Sequence, residues 1–169
     1  MNEGQRLQIV VTPVGAPAPF SVDAVVYEDD TQLVLGSDPL VREVNDPLSE
    51  LVEQVSGAKP QPLGTVVVKE GPPLRFHAIV HDLRLEPSWR EEWISSALAD
   101  VFDEANALDV GSLALPVLGT LHGQLGLACF CKLLDLELKR VLVTSLKRIW
   151  LVVVGDAEAV QSQLRHLGW

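Results

Sequence analysis

The stretch Leu-Pro-Val-Leu-Gly-Thr-Leu-His-Gly, residues 115–123, decides how the chain is interpreted. It follows a short apolar run, residues 110–115, which is typical of a buried strand. Gly119 and Gly123 flank Thr120 and His122 and would let backbone amides approach an anion, so the loop has the composition of a phosphate-binding loop before a helix. The alternative is an ordinary strand-to-helix turn that needs glycine for its backbone angles. The residues alone leave both interpretations open.

Composition predicts a single folded domain over residues 1–169. Of these residues, 47% are hydrophobic, which is enough for a packed core. The apolar runs are short, and none approaches the ~20 residues of a membrane-spanning helix. The chain does not open with a basic stretch followed by an apolar one, so the sequence predicts no signal peptide.

The formal net charge of −10 is spread along the chain. Nucleic acids and anionic membrane surfaces both attract clustered lysine and arginine, so this charge argues against either partner. Cys129 and Cys131 stand two residues apart in a predicted helix, where their side chains diverge too far for a disulfide. Reduced thiols favour a cytoplasmic protein, and two cysteines alone form no metal site.

Strand and helix patterns alternate along the chain. Apolar runs predict strands at residues 7–12, 22–27, 65–69, 74–81, 110–115 and 148–154. Helical periodicity predicts helices at residues 39–56, 88–108, 125–138 and 157–167. The second helix opens on Ser88-Trp89-Arg90-Glu91, which has the spacing of a capping box. Together they predict an α/β fold: a three-layer α/β/α sandwich with a mixed, mostly parallel sheet.

Ligands of such sheets bind at the carboxyl ends of the strands, so the residues there are candidates for a site. His81 and Asp82 follow one strand, and His122 lies in the loop after another. A histidine at this rim could transfer a proton near neutral pH, and these three residues form the candidate catalytic group. A histidine that caps a strand beside a turn-forming aspartate is the more common arrangement. The spacing matches no metal-ligand motif, so no metal is predicted.

An acidic run, Glu28-Asp29-Asp30, follows the predicted strand at residues 22–27. Such a run is most often a solvated turn, and that interpretation is favoured here. The alternative is that it faces the site and holds a cation or a cationic partner.

The order of elements resembles that of macro domains, the ADP-ribose-binding modules. Residues 22–26, Val-Asp-Ala-Val-Val, are similar to that family's Val-Asp-Ala-Ile-Val strand. Residues 76–81, Phe-His-Ala-Ile-Val-His, resemble a strand that commonly ends in histidine. Residues 114–120, Ala-Leu-Pro-Val-Leu-Gly-Thr, resemble the family's strand and second phosphate loop. The resemblance covers residues 7–154 and implies the macro-domain fold and its ligand positions.

The departures fall where the family contacts ADP-ribose. Its first strand usually leads into Gly-Asp-Ile, whose aspartate binds the adenine amino group, and this chain has Pro13-Val14-Gly15. Its second strand usually leads into Asn-Ala-Ala-Asn, whose last asparagine contacts the distal ribose, and this chain has Tyr27-Glu28-Asp29-Asp30. Gly36 alone remains of the first glycine-rich loop, and Leu121 replaces a glycine in the second.

The resemblance implies a candidate ligand site at the matching positions. Its members are Tyr27, Asp29, Asp30, Gly36, Ser37, Val117, Leu118, Gly119, Thr120, Leu121, His122 and Gly123. Carboxylates beside a diphosphate at ~4 Å would repel it by about 4 kcal/mol at an effective dielectric of ~20. That repulsion corresponds to roughly three orders of magnitude in affinity, so ADP-ribose binding in the usual pose is expected to be weak or absent.

These observations predict a divergent macro-like ligand-binding or interaction module with an altered or lost ADP-ribose site, and favour a binding protein over an enzyme. Its partner would be a nucleotide-like or other small ligand, or a protein, and no cofactor is predicted. One alternative is a hydrolase that acts on an ADP-ribose derivative through His81, Asp82 and His122. Another is a structural or regulatory domain without a ligand.

Overall fold

Six strands form one sheet in the computed structural model, which describes residues 6–35, 60–120, 124–141 and 145–169. The strands are β1 (Gln8–Pro13), β2 (Ala24–Asp30), β3 (Val66–Lys69), β4 (Leu74–His81), β5 (Ser112–Pro116) and β6 (Arg148–Val153). Their order in the sheet is β1-β6-β5-β2-β4-β3. β3 runs antiparallel to β4, and all other neighbouring strands are parallel. The prediction of a mixed, mostly parallel sheet is therefore confirmed.

The described helices are α1 (Glu91–Ala107), α2 (Leu127–Arg140) and α3 (Ala157–His166). α1 packs on β4 and β3, α3 packs on β1, and α2 lies between α1 and α3. The three therefore form a layer on one face of the sheet. The helix predicted at residues 39–56 falls outside the described residues. None of the described helices is both long and apolar enough to span a membrane.

The hydrophobic core lies between the sheet and this helix layer. Alternate residues of the strands enter it because successive side chains of a strand point to opposite faces. Fully buried examples from the strands are Ala24, Phe76, Ala78, Leu113, Leu115, Ile149 and Leu151. α1 contributes residues at helical spacing, including Ile94, Leu98, Val101 and Phe102. Each large side chain that is fully buried contributes about 1.5–3 kcal/mol, so this interface holds the sheet and the helices together.

β2 extends further than the sequence predicts. The strand continues through the acidic run and ends at Asp30. Glu28 is only 9% exposed, and Asp29 and Asp30 are completely buried. The interpretation of this run as a solvated turn is therefore wrong. Burial is possible because the carboxylates find hydrogen-bond partners inside the protein, which compensate for the loss of hydration.

The predicted capping box at residues 88–91 does not form. α1 begins at Glu91, and its N-cap residue, Arg90, makes no capping hydrogen bond with its side chain. The Ser88 hydroxyl lies 3.0 Å from Nδ1 of His81, and the Ser88 carbonyl accepts a hydrogen bond of 2.7 Å from the Asp82 N–H. Contacts with the end of β4 have replaced the local cap.

Candidate functional site

The carboxyl ends of β5, β2 and β4 lie side by side in the sheet. The Glu28 carboxylate joins them, because its Oε1 accepts a short hydrogen bond from the Gly119 N–H after β5. Its Oε2 lies 3.1 Å from Nε2 of His81 at the end of β4. The other ring nitrogen of His81 lies 3.0 Å from the Ser88 hydroxyl oxygen. These four residues form a continuous polar chain across the strand ends.

The chemistry of a carboxylate assigns the protons in this chain. A carboxylate can only accept hydrogen bonds, so Nε2 of His81 carries the hydrogen and donates a hydrogen bond to Glu28. In the neutral ring, Nδ1 then accepts from the Ser88 hydroxyl. His81 has no exposed surface. In this arrangement its two nitrogens hold Glu28 and Ser88 rather than face solvent.

The described part of the predicted phosphate loop is packed and hydrogen-bonded to itself. Gly119 has a φ of 80°, and a β-carbon there would overlap the side chain of Ile94. Its carbonyl accepts a hydrogen bond of 3.1 Å from the Leu125 N–H. The Thr120 hydroxyl donates to the Val117 carbonyl at 2.7 Å. Gly119 therefore meets a backbone and packing requirement, while its amide, the natural donor to an anion, is used by Glu28.

The remaining members of the loop differ in how far the structure describes them. Val117 is 4% exposed and Leu118 is completely buried, so both side chains pack in the core. Leu121, His122 and Gly123 lie outside the described residues, as do Gly36 and Ser37. For these five positions the predicted role in ligand binding stays a prediction.

Asp29 points to the opposite face of the sheet from Glu28. Its Oδ2 lies 2.8 Å from Nδ1 of His77 on the neighbouring strand, and both residues are buried. Tyr27 stacks on the His77 ring, with 5.2 Å between the ring centroids. The two candidate ligand residues on this face, Tyr27 and Asp29, are thus parts of a cross-strand cluster with the buried His77.

Asp30 organises the turn that follows β2. One carboxylate oxygen accepts hydrogen bonds from the N–H groups of Val34 and Leu35, at 2.7 and 2.9 Å. The other accepts from the Gln32 N–H at 3.0 Å. This carboxylate performs the same task as a helix N-cap, because it satisfies several backbone donors that would otherwise lack partners.

Asp82 is held by Arg84, two residues further along the chain. Its two oxygens accept hydrogen bonds from Nε and Nη2 of Arg84, each at 3.0 Å, in a two-pronged ion pair. The hydrogen bonds from the Arg84 side chain are the main reason that the pKa of Asp82 lies below its usual value. His81 and Asp82, two of the three candidate catalytic residues, are therefore engaged with different partners, and His122 is outside the described residues.

Other reactive groups of the described residues are few. Cys129 and Cys131 are free, as predicted, and burial raises the pKa of Cys131 to about 11. The pKa of Cys129 is also raised, first by burial and then by the nearby Glu91. Both thiols thus stay protonated at neutral pH and are poor nucleophiles. Within the described part of the chain, no group of three or more histidine, cysteine, aspartate or glutamate side chains could hold a metal ion.

Sequence reasoning missed Ser88 and Glu28 as partners of His81. A signal for Glu28 was available, because it continues the alternation of buried residues that begins with Ala24 and Val26. No comparable local signal existed for Ser88, whose sequence context favours a helix cap.

Comparison with known proteins shows which solved structures share this fold. No protein-family model matches the chain, and no curated protein matches its sequence. One similar solved structure is the Oceanobacillus iheyensis macrodomain with ADP. The alignment covers 86% of this chain and 84% of the macrodomain chain, with a TM-score of 0.63 and 14% sequence identity. The chain has the macro-domain fold. Its identity of 14–15% to three solved macro domains confirms that it is a divergent example of that fold.

Two further macro domains support this assignment. The macro domain of ganglioside induced differentiation associated protein 2 covers 86% of this chain over 77% of its own, with a TM-score of 0.62 and 15% identity. The Trypanosoma brucei macrodomain in complex with ADP-ribose covers 86% over 63% of its own length, with a TM-score of 0.59 and 14% identity. At such identities the likeness establishes the fold, and ligand binding has to be argued from the residues of this chain.

Proposed function

We propose that the chain is a divergent macro-fold binding or interaction module whose ADP-ribose site is altered, so that the loop after β5 no longer receives a diphosphate. The macro-domain fold supports a ligand-binding module for a nucleotide-like or other small ligand. The contact between Glu28 and the Gly119 N–H supports the alteration, and it is the single observation on which the proposal depends.

A backbone N–H of a glycine in this position is a ready donor to an anion. Here the chain supplies its own anion, the Glu28 carboxylate, which is only 9% exposed. A phosphate would have to displace this group and then lie beside it. Two negative charges at ~4 Å repel by about 4 kcal/mol at an effective dielectric of ~20. Affinity for a diphosphate would therefore fall roughly a thousandfold.

Glu28 is the residue of the acidic run to which we assign this electrostatic effect. Asp29 and Asp30 have no exposed surface and are bonded to His77 and to the following turn. Glu28 accepts a hydrogen bond from the described part of the loop after β5, at the Gly119 N–H. The testable claim is therefore that the Glu28 carboxylate lowers the affinity of this site for a phosphate group.

The hydrolase alternative gains no specific support from the described residues. His81 would have to leave Glu28 and Ser88 before it could act as an acid or base, and Asp82 would have to leave Arg84. We therefore favour binding without turnover. A cytoplasmic location, inferred from the reduced thiols, remains part of the proposal.

Titration with ADP-ribose, with and without Mg²⁺, tests the proposal by thermal shift and calorimetry. A ligand at about 100 times its Kd adds about 2.7 kcal/mol to stability, which is readily measured. We expect no saturable response of the wild-type protein at millimolar ADP-ribose. The Glu28→Ala variant places at this position the alanine found in the macro-domain motif and frees the Gly119 N–H, so it should gain measurable binding.

Two further variants identify the cause. Glu28→Gln removes the charge but keeps an oxygen that can accept from Gly119. If charge repulsion excludes the phosphate, this variant should gain binding as Glu28→Ala does, and if occupation of the Gly119 N–H excludes it, the variant should remain without binding. Glu70→Ala removes an exposed carboxylate from the turn between β3 and β4, which lies at the other end of β4 from the site, and serves as the matched control. Saturable binding of ADP-ribose by the wild-type protein, with or without Mg²⁺, would contradict the proposal.

A further inference from the structure

A groove of about 720 Å³ lies between α1 and α2, away from the strand ends. We call it the interhelical groove. Glu92, Ser95 and Asp103 line it from α1, and Glu137 and Arg140 line it from α2. Among these residues three carboxylates face one guanidinium, so the described lining is acidic.

Glu137 is the unusual member of the interhelical groove. It is 1% exposed, which places its carboxylate almost entirely out of water. Oε1 accepts a hydrogen bond of 2.7 Å from the Ser95 hydroxyl. Oε2 is buried and has no hydrogen-bond partner among the described residues. A buried carboxylate oxygen without a donor is costly, so such a group commonly has a ligand or a functional reason to be there.

Arg140 does not compensate this charge well. Its Nη1 lies 3.8 Å from Oε1 of Glu137, which is beyond hydrogen-bond distance. Its side chain is 75% exposed, so water screens the ion pair. The oxygen that Arg140 approaches is also the one that Ser95 already serves. Oε2 is thus the carboxylate oxygen of Glu137 that lacks a donor among the described residues, on a side chain that lines the groove. Because Oε2 is buried, a donor that enters through the groove has to displace the side chains that cover it.

We propose that the interhelical groove binds a primary ammonium group on an aliphatic chain, with Oε2 of Glu137 as its acceptor. A guanidinium donates best as a fork to two free carboxylate oxygens, whereas a single free oxygen suits a compact ammonium donor. Asp103 adds negative charge along α1, and Glu92 adds a carboxylate that lies 3.9 Å from the exposed Arg90 guanidinium. This row of carboxylates favours an extended ligand with more than one amine.

The ammonium group could come from a free polyamine or from a lysine side chain of a partner protein. Both present the same chemistry, and the experiment distinguishes them. The interhelical groove shares no residue with the strand-end site. Its ligand can therefore be tested independently of the proposed function.

Calorimetric titrations at low ionic strength provide the test, because salt screens partly exposed charges. The probes are spermidine, a capped Gly-Lys-Gly peptide and the same peptide with its lysine acetylated. We expect saturable binding of spermidine and none of the acetylated peptide. Glu137→Gln, which keeps the shape of the side chain, should weaken binding roughly ten- to hundredfold, as expected for the loss of a charged hydrogen bond.

Glu158→Gln is the matched control, since it removes an exposed carboxylate from α3 and should leave binding unchanged. Backbone amide shifts of α1 and α2 in the wild-type protein give a second measurement that does not depend on the folding of a variant. Binding of the unmodified lysine peptide as well as spermidine would identify a partner's side chain, and binding of spermidine alone would identify a free polyamine. Absence of saturable binding by both probes, or equal binding by Glu137→Gln and Glu158→Gln, would overturn the proposal.

Discussion

The strand-end site and the interhelical groove each bury a glutamate, but they treat it differently. At the strand ends, both oxygens of Glu28 are bonded, one to the Gly119 N–H and one to His81. In the groove, one oxygen of Glu137 is bonded to Ser95, and the other has no partner among the described residues. Glu137 is nevertheless the more deeply buried of the two, at 1% against 9% exposure.

This difference indicates different roles. Removing an ion from water costs several kcal/mol unless hydrogen bonds or an opposite charge compensate. For Glu28, two hydrogen bonds within the protein compensate the lost hydration of the carboxylate, as expected of a residue that ties three strands together. Glu137 is only half compensated, as expected of a residue kept for a ligand. Substitutions at the two positions should therefore have unequal effects on stability.

The largest effect is expected for Glu28→Ala. In the absence of a ligand, this change removes the acceptor of the Gly119 N–H and of Nε2 of His81, and each such unpaired group costs about 1–3 kcal/mol. We expect a loss of about 3 kcal/mol in the free energy of unfolding, measured by urea denaturation. Glu28→Gln can still bond both groups if His81 changes tautomer, so it should cost less than Glu28→Ala.

Glu70→Ala, at an exposed position, should leave the free energy of unfolding within about 0.5 kcal/mol of wild type. A loss for Glu28→Ala that is no larger than this would show that the carboxylate does not join the strand ends in solution.

The contacts of Glu28 also explain where prediction from sequence succeeds and fails. Short apolar runs locate all six described strands, and the 3.6-residue period locates α1, α2 and α3, because both patterns are local. The partners of Glu28 are 53 and 91 residues away in the chain. The local alternation that continues to Glu28 indicates that its side chain is buried, but no local pattern identifies its partners. Without those partners, an acidic run at the end of a strand is interpreted as a solvated turn.

The same reason limits prediction of the site. Gly119 and Thr120 were correctly placed in a strand-to-helix loop, because glycine and the preceding apolar strand mark it locally. That the loop's amide is occupied by a carboxylate from β2 depends on the order of strands in the sheet. At Ser88 the local pattern is misleading. The spacing of residues 88–91 predicts a capping box, but the Ser88 hydroxyl forms a hydrogen bond with His81 instead.

A much smaller effect is expected for Glu137→Gln. The change removes a buried charge that lacks full compensation, and Ser95 can still donate to the remaining oxygen. Replacing an incompletely paired buried ion by a neutral group is often neutral or stabilising. We expect the free energy of unfolding, from urea denaturation without amine, to stay within about 1 kcal/mol of wild type. A loss as large as that of Glu28→Ala would assign Glu137 a structural role and remove the contrast between the two sites.

The smallest effect is expected at the rim, where Asp82 pairs with an Arg84 side chain that is 73% exposed. Because Arg84 holds the pKa of Asp82 below its usual value, the ion pair adds stability above the unfolded pKa of about 3.9, and that stability is lost as pH falls through the lower folded pKa. In Arg84→Gln the pKa of Asp82 should rise towards its usual value, as followed by NMR titration of the carboxyl carbon. Wild type should be the more stable at neutral pH, and the difference should vanish in strong acid and shrink at high salt. If the pKa of Asp82 does not change in Arg84→Gln, the backbone N–H of residue 84, and not the ion pair, holds this carboxylate. Asp82 would then resemble Glu28, which also depends on hydrogen bonds to neutral groups of the protein.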